Sequence, residues 1–110
     1  MDLREMQKAV YQNKLDKKFN VTDVNMEFCL LYGEVGEAYQ AWLKRKPDMA
    51  EELADVAIYL LGLSEILGVD LAGEIERKME INRKRVYKHV DGVAIRVESG
   101  EEAPGDCHDA

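Results

Sequence analysis

Apolar residues recur at spacings of three and four along most of the chain, which is the period of an amphipathic helix. Breaks in this pattern separate four helical segments: about residues 2–18, a second from Val24 to Trp42, a third after Asp48 that ends at Gly68, and a fourth carrying Leu71 to Val86. Because the connections are short, neighbouring helices should pack antiparallel. We therefore expect an all-α protein, a four-helix bundle whose centre is an antiparallel hairpin of the second and third helices.

Residues that favour helix ends stand at the predicted boundaries. Thr22 precedes the second helix as a candidate N-cap, and Asp48 precedes the third, with Glu51 placed to complete a capping box. Gly68 is a typical C-terminal residue for the third helix, and Asp70 can cap the fourth. On the first helix, Leu3, Met6 and Val10 are expected to share one side.

The chain changes character near its C-terminus. Strand-like alternation occurs only at Val93–Val97, so residues 1–92 are expected to form the helical domain and residues 93–110 a tail with a short strand and then disorder. Residues 98–110 contain five acidic side chains and no Lys or Arg, so the net charge of −7 leaves only about −2 on residues 1–97.

The clustered cations form no continuous basic stripe, so duplex nucleic acid is not an expected partner.

Composition suggests a cytoplasmic protein without a membrane segment. No apolar run reaches the about 18 residues that a membrane span requires, and the N-terminus lacks a secretory pattern. The two cysteines, Cys29 and Cys107, form no disulfide framework. Cys29 lies in an apolar helical stretch and is expected to be a small core residue.

Two acidic pairs interrupt the most apolar helices. Glu34 and Glu37, in GEVGEAYQAW, lie one turn apart on a second inward face of the second helix, beside Leu30 and Ala41. Glu52 and Asp55 repeat this spacing in the third helix, EELADVAIYLLGL, where Asp55 is the only charge from Leu53 to Leu63. Buried like charges repel each other and are costly to desolvate.

The register of an antiparallel hairpin brings the two pairs together. Glu34 lies at the height of Asp55 and Glu37 at that of Glu52 when the chain reverses at residues 44–47. The four carboxylates can then converge on one pocket, and a divalent cation would remove their repulsion. A set of oxygen ligands suits Mg²⁺ or Mn²⁺ rather than a structural zinc ion.

Three stretches, GEVGEAYQAW, EELADVAIYLLGL and ERKMEINRKR, make residues 3–90 similar to the MazG-like branch of the all-α nucleoside triphosphate pyrophosphohydrolases. This resemblance implies a MazG-like bundle that hydrolyses NTP or dNTP to NMP or dNMP and pyrophosphate, with removal of non-canonical nucleotides as one use. It also implies Mg²⁺, with Mn²⁺ as a substitute, bound by Glu34, Glu37, Glu52 and Asp55.

The same resemblance implies roles for other residues. Lys78 and Asn82 match positions that contact the phosphates, and Tyr59 matches a hydroxyl that can reach them. Lys18, with Lys14, Lys17 and Phe19, falls where relatives contact substrate. For the group that accepts a proton from the attacking water, the candidates are Glu37 and Glu34.

The second helix predicts assembly. Two inward faces on one hairpin cannot both be covered by a chain of 110 residues, so we expect a homodimer or homotetramer that completes the bundle through the apolar stripe. That stripe comprises Val24, Phe28, Leu31, Val35, Ala38 and Trp42. Packing is also the expected role of Phe19, Tyr39 and Trp42, rather than stacking on a base.

Other functions compete with this interpretation. A non-catalytic helical oligomerisation or interaction module would use the same apolar stripes and would tolerate neutral residues at the acidic positions. A ferritin-like di-iron bundle requires Glu-x-x-His pairs, which neither His89 nor His108 provides. A site at Cys107 and His108 would have too few ligands for a structural metal.

Overall fold

A computed structural model describes residues 1–97 of the chain. It contains α1 (Leu3–Asp16), α2 (Val24–Leu43), α3 (Met49–Ile66) and α4 (Leu71–Lys84), followed by the strands β1 (Val86–Val90) and β2 (Val93–Val97). The predicted architecture of four helices is confirmed. The structure divides into two compact units, Met1–Ala72 and the residues from Gly73 onward.

The first unit is built on the α2–α3 hairpin, with α1 packed against α3. Ala38 and Ala41 of α2 are buried, as are Leu61 and Leu63 of α3. Small side chains on α2 allow the two helices to approach closely. The helix carrying Glu34 and Glu37 therefore lies directly against the helix carrying the other two predicted ligands.

The helix ends correct two predictions. The N-cap of α2 is Asp23 rather than Thr22, because the Asp23 side chain accepts a hydrogen bond from the Met26 N–H at 3.0 Å. Asn20 organises this turn by accepting from the Asp23 N–H, also at 3.0 Å. The capping box predicted at α3 is absent, since Asp48 has ψ 12° rather than an extended backbone and makes no side-chain cap. Gly68 follows α3 with φ 69°, in the conformation expected of a residue after a helix.

The buried side of α1 carries polar residues. Met6 is 42% exposed, whereas Gln7 and Lys14 are buried. The Gln7 amide donates to the Val69 carbonyl at 2.7 Å and to Glu65 at 2.9 Å, so it joins α1 to the end of α3. These hydrogen bonds explain why a polar side chain is tolerated there.

The apolar stripe of α2 is largely uncovered in the single chain. Phe28, Val35 and Trp42 are 43%, 48% and 63% exposed. Cys29 is exposed as well, so its prediction as a core residue is wrong. The buried residues of α2 are Glu27, Ala38 and Ala41, and of these only Ala38 belongs to the stripe.

In the second unit the chain leaves the helical conformation earlier than the pattern predicts. Val86 begins β1 rather than extending α4. β1 pairs antiparallel with β2, and Asp91 and Gly92 form the connection with φ values of 53° and 78°. Positive φ at both positions is typical of the type I′ turn that Asp-Gly favours in two-residue hairpins. The predicted disordered segment, 98–110, lies outside the described residues.

None of the helices in residues 1–97 is by itself both long and apolar enough to cross a membrane, although α3 and α4 taken together across the break between them reach the required length and composition.

Candidate metal centre

Three carboxylates converge between α2 and α3. Glu34, Glu37 and Glu52 each offer an oxygen, and these oxygens all lie within 4.8 Å of one another. Glu34 and Glu52 are half-buried and Glu37 is exposed, so the cluster has an inner side and an open side. The predicted convergence is therefore present for these three residues.

The cluster is electrostatically frustrated. Burial raises the pKa of Glu34 above 4.5, and the Glu37 charge, a hydrogen bond to Glu37, and the charges of Asp55 and Glu52 raise it further. Oε2 of Glu34 is buried and accepts no hydrogen bond from any described residue. A buried carboxylate oxygen without a donor is costly unless a cation faces it.

Glu52 is in a similar position. Burial is the main cause that raises its pKa above 4.5, followed by the charges of Glu37, Asp48 and Asp55, while Lys46 acts in the opposite direction. Asp55 is exposed and is not one of the three residues whose oxygens meet, but its charge acts on both glutamates. It therefore lies at the edge of the cluster.

The donor set fits a hard divalent cation. All of the converging ligand atoms are carboxylate oxygens, the type that Mg²⁺ and Mn²⁺ prefer. Such a cation would satisfy the unpartnered oxygen of Glu34 and remove the repulsion that raises the pKa values of Glu34 and Glu52.

The raised pKa of Glu34 predicts a pH dependence for the metal-free protein. Well below pH 4.5 the Glu34 carboxyl is protonated in both the folded and the unfolded chain, and it does not lower the free energy of unfolding. As the pH rises, the unfolded chain loses this proton first, so the contribution to stability falls until the pH passes the folded pKa. In a chelator, the melting temperature of Glu34→Gln should therefore gain on that of the wild type as the pH rises above 4.5. A constant difference across that range would contradict the predicted frustration.

Tyr59 connects the acids to the rest of the unit. It lies one turn after Asp55 and is half-buried, and burial raises its pKa above 10.0, with the charges of Glu34 and Glu27 as the next causes. The phenol therefore stays protonated at neutral pH and can donate a hydrogen bond to an anion.

A buried ion pair lies beyond Tyr59. Lys14 Nζ donates to Glu27 Oε1 at 2.7 Å, and Asn20 Nδ2 donates to Glu27 Oε2 at 3.0 Å. The side chain of Glu27 is only 1% exposed. Sequence reasoning missed Glu27; the signal was its place seven residues before Glu34, two helical turns along the same face of α2.

Two adjoining cavities meet at these side chains. The larger has a volume of about 340 Å³ between α1 and α3, and the smaller has about 200 Å³ and extends toward α2. Both are lined by Lys14, Phe19 and Tyr59. Tyr59 follows Asp55 by one helical turn on α3, so both cavities begin about one turn from the acidic cluster.

The remaining predicted substrate residues are not brought to this cluster by the first unit. Lys18 is exposed in the turn after α1, with φ 60°, and lines neither cavity. Lys78 is half-buried and Asn82 exposed on α4, in the second unit. Their contacts with phosphate stay a prediction.

Comparison with known proteins decides the family. The MazG-like family profile matches residues 25–98, a stretch that includes both acidic pairs. The chain belongs to the MazG-like family.

Several curated proteins are similar to this MazG-like chain. A dATP/dGTP diphosphohydrolase of Salmonella phage PMBT28 is 37% identical over 82 residues, which cover 64% of this chain and 27% of that protein. The dATP/dGTP diphosphohydrolase of cyanophage S-2L is 42% identical over 53 residues, covering 48% and 50%. The human dCTP pyrophosphatase 1 is 38% identical over 74 residues, covering 54% and 44%. The matched region thus spans half or less of each of these relatives.

A solved structure is similar over most of the chain. The cyanophage S-2L MazG-like pyrophosphohydrolase, bound to dGDP and three catalytic Mn²⁺ ions per active site, superposes with a TM-score of 0.66 at 27% identity. The match covers 89% of this chain and 99% of that one.

Proposed function

We propose that this MazG-like chain hydrolyses nucleoside triphosphates, NTP or dNTP, to the monophosphate and pyrophosphate. The observation that carries the proposal is the acidic cluster, in which oxygens of Glu34, Glu37 and Glu52 meet within 4.8 Å. A carboxylate cluster beside a cavity suits the hydrolysis of a phosphate chain better than an interaction surface. The activities named for the relatives support the same reaction.

The acids would hold the cation. We assign Glu34, Glu37, Glu52 and Asp55 as its ligands, with Mg²⁺ as the physiological ion and Mn²⁺ as a substitute. A bound divalent cation would neutralise phosphate oxygens and acidify water at the site. Glu37 or Glu34 would accept the proton of the attacking water, and the open side of the cluster gives Glu37 the better access to solvent.

The nucleotide would lie along the α2–α3 seam. Tyr59 would donate a hydrogen bond to the phosphate chain, because its phenol is protonated and lies between the acids and the cavities. The cavities would receive the nucleoside, since they are mostly apolar with a few polar groups, as ligand pockets usually are. Lys78 and Asn82 would hold the two outer phosphates, as the family resemblance implies.

The substrates we propose are deoxynucleoside triphosphates, non-canonical ones included. A dGDP molecule is bound in the similar cyanophage structure, and the curated relatives are named for dATP, dGTP and dCTP. The test is product identification with a panel of such triphosphates by ³¹P NMR. We expect a monophosphate and pyrophosphate, and a weaker reaction with higher KM in Lys78→Ala. Orthophosphate and a nucleoside diphosphate would show cleavage at the wrong bond.

We further propose that the chain assembles as a homodimer or homotetramer. The exposed stripe of α2, with Phe28, Val35 and Trp42, supports this, because a patch of large apolar side chains of this kind usually marks an interface. Sedimentation should give a dimer or larger at micromolar concentration, and Trp42→Glu should shift it toward monomer. A wild-type monomer at that concentration would contradict the proposal.

A further inference from the structure

Lys14 is a buried lysine with hydrogen-bonding capacity to spare. Its Nζ donates one hydrogen bond, to Glu27 Oε1 at 2.7 Å, and lies 5.8 Å from the centroid of the Tyr59 ring. An ammonium group carries three donors. Among residues 1–97, Glu27 is the only acceptor of a Lys14 hydrogen bond, so two N–H groups remain for a ligand.

Both oxygens of Glu27 accept a hydrogen bond, the first from Lys14. Its second oxygen accepts from Asn20 Nδ2 at 3.0 Å, and Asn20 also donates to the Asp23 carbonyl at 2.9 Å. Glu27 therefore fixes the ammonium of Lys14 in place, and its own side chain is only 1% exposed. Lys14 lines both cavities, whereas Glu27 lines only the smaller one.

The helices set the distance from this donor to the acids. Glu27 precedes Glu34 by seven residues, and Gly62 follows Asp55 by seven, which is about 10.5 Å along each helix. Lys14 lies at the same height as Gly62, because a Cβ added to Gly62 would lie 3.2 Å from Lys14 Cδ. We call this height the Lys14 layer and that of the four acids the acidic layer. Tyr59 stands between the two layers, about 6 Å from Asp55 along α3.

A nucleotide whose phosphates lie at the acids would reach the Lys14 layer with its base. With the phosphates at the acids, the sugar would pass Tyr59, since two helical turns separate the acids from Lys14. Lys14 would then lie beside the base rather than beside the phosphate chain.

We propose that Lys14 reads the nucleobase and selects bases with a carbonyl oxygen over those with an amino group at the same position. This inference rests on the proposed function. The carbonyl oxygen of hypoxanthine, guanine, uracil or thymine can accept from the ammonium, whereas the amino group of adenine or cytosine is itself a donor. Lys14 contacts the substrate, and Glu27 is a positioning residue that acts through it.

The test uses two matched pairs of substrates, dITP with dATP and dUTP with dCTP, in which a carbonyl replaces an amino group. The wild type should favour the carbonyl member in kcat/KM by about tenfold, the worth of one charge-assisted hydrogen bond. The variant Lys14→Met with Glu27→Gln should reduce both ratios to about one. Two substitutions are needed because Lys14→Met alone would leave the Glu27 charge buried without a partner. The glutamine keeps an acceptor for Asn20.

The control is Lys8→Met, an exposed lysine of the same helix that lines neither cavity, and it should keep both ratios. Equal kcat/KM values within the pairs for the wild type, or unchanged ratios in the double variant, would overturn the assignment of Lys14. The wild-type ratios decide this even if the double variant does not fold.

A wild type that releases pyrophosphate from none of the four substrates would instead show that the proposed function is wrong. Titration calorimetry with dIMP and dAMP would then still decide the base reading, since tighter binding of dIMP supports it and equal binding overturns it.

Discussion

Replacing Glu52 with glutamine should reduce kcat by more than about 100-fold. Removing a residue that only hydrogen-bonds to a metal ligand costs up to about 100-fold in activity, and the loss of a ligand itself should cost more. Glu52 is the contribution of α3 to the cluster in which carboxylate oxygens lie within 4.8 Å of one another. Its amide replacement has the same shape but lacks the charge that holds a cation. The chain should remain folded, because burial and the charges of Glu37, Asp48 and Asp55 already disfavour the ionised form of Glu52.

The neighbouring residue supplies a matched control. Glu51 also lies in the first turn of α3 but is exposed and outside the cluster. Glu51→Gln therefore changes the net charge and the interaction with the helix N-terminus to the same degree as Glu52→Gln does. It should keep wild-type kcat. Equal losses in the two variants, or full activity in Glu52→Gln, would remove Glu52 from the site.

Adding a divalent cation to chelator-treated protein should raise the melting temperature strongly. At a free concentration about 100 times Kd, binding to the folded chain alone contributes about 2.7 kcal/mol. For a domain of this size, that corresponds to a shift of about 10–20 °C. The stabilisation is expected because the cation satisfies the buried, unpartnered oxygen of Glu34 and cancels the repulsion among the acids.

The shift should depend on Glu34. Glu34→Gln should melt no lower than the wild type in chelator, and Mg²⁺ or Mn²⁺ should stabilise it much less. Na⁺ at matched ionic strength separates specific binding from general screening of charge. An equal shift in the wild type and in Glu34→Gln would place the cation elsewhere, and no shift in the wild type would contradict a metal centre.

The acidic cluster could be predicted from the sequence because it depends on local rules. Spacing of three residues places each pair on one helical face, and a short connection fixes the register of the hairpin, so Glu37 and Glu52 meet. Asp55, at the rim, was predicted as an equal partner of the others. The spacing of residues in the sequence gives the position of a side chain along the helix axis, but not how deeply that side chain is buried.

The ion pair of Lys14 and Glu27 could not be predicted in this way. It joins two helices through a turn whose course depends on Asn20 and on which of two good capping residues, Thr22 or Asp23, begins α2. On sequence alone, Lys14 looks like any solvated lysine of an amphipathic helix.

Two further differences have similar causes. Val86 continues the apolar spacing of α4, which concealed the Asp-Gly turn that makes it the start of a strand. An apolar stripe looks the same whether it faces a core or a partner. The sequence predicts a partner for this stripe, but only the fold shows how far Phe28 and Trp42 are exposed in the single chain.

The most direct test of the central claim follows the oxygen of the attacking water. The claim is that the acidic cluster directs water to the α-phosphorus of a nucleoside triphosphate. Hydrolysis of a deoxynucleoside triphosphate in H₂¹⁸O, followed by mass spectrometry of both products, shows which phosphorus is attacked. We predict ¹⁸O in the nucleoside monophosphate and none in the pyrophosphate, with no reaction in Glu52→Gln. Label in the pyrophosphate would place the attack at the β-phosphorus and would contradict this account.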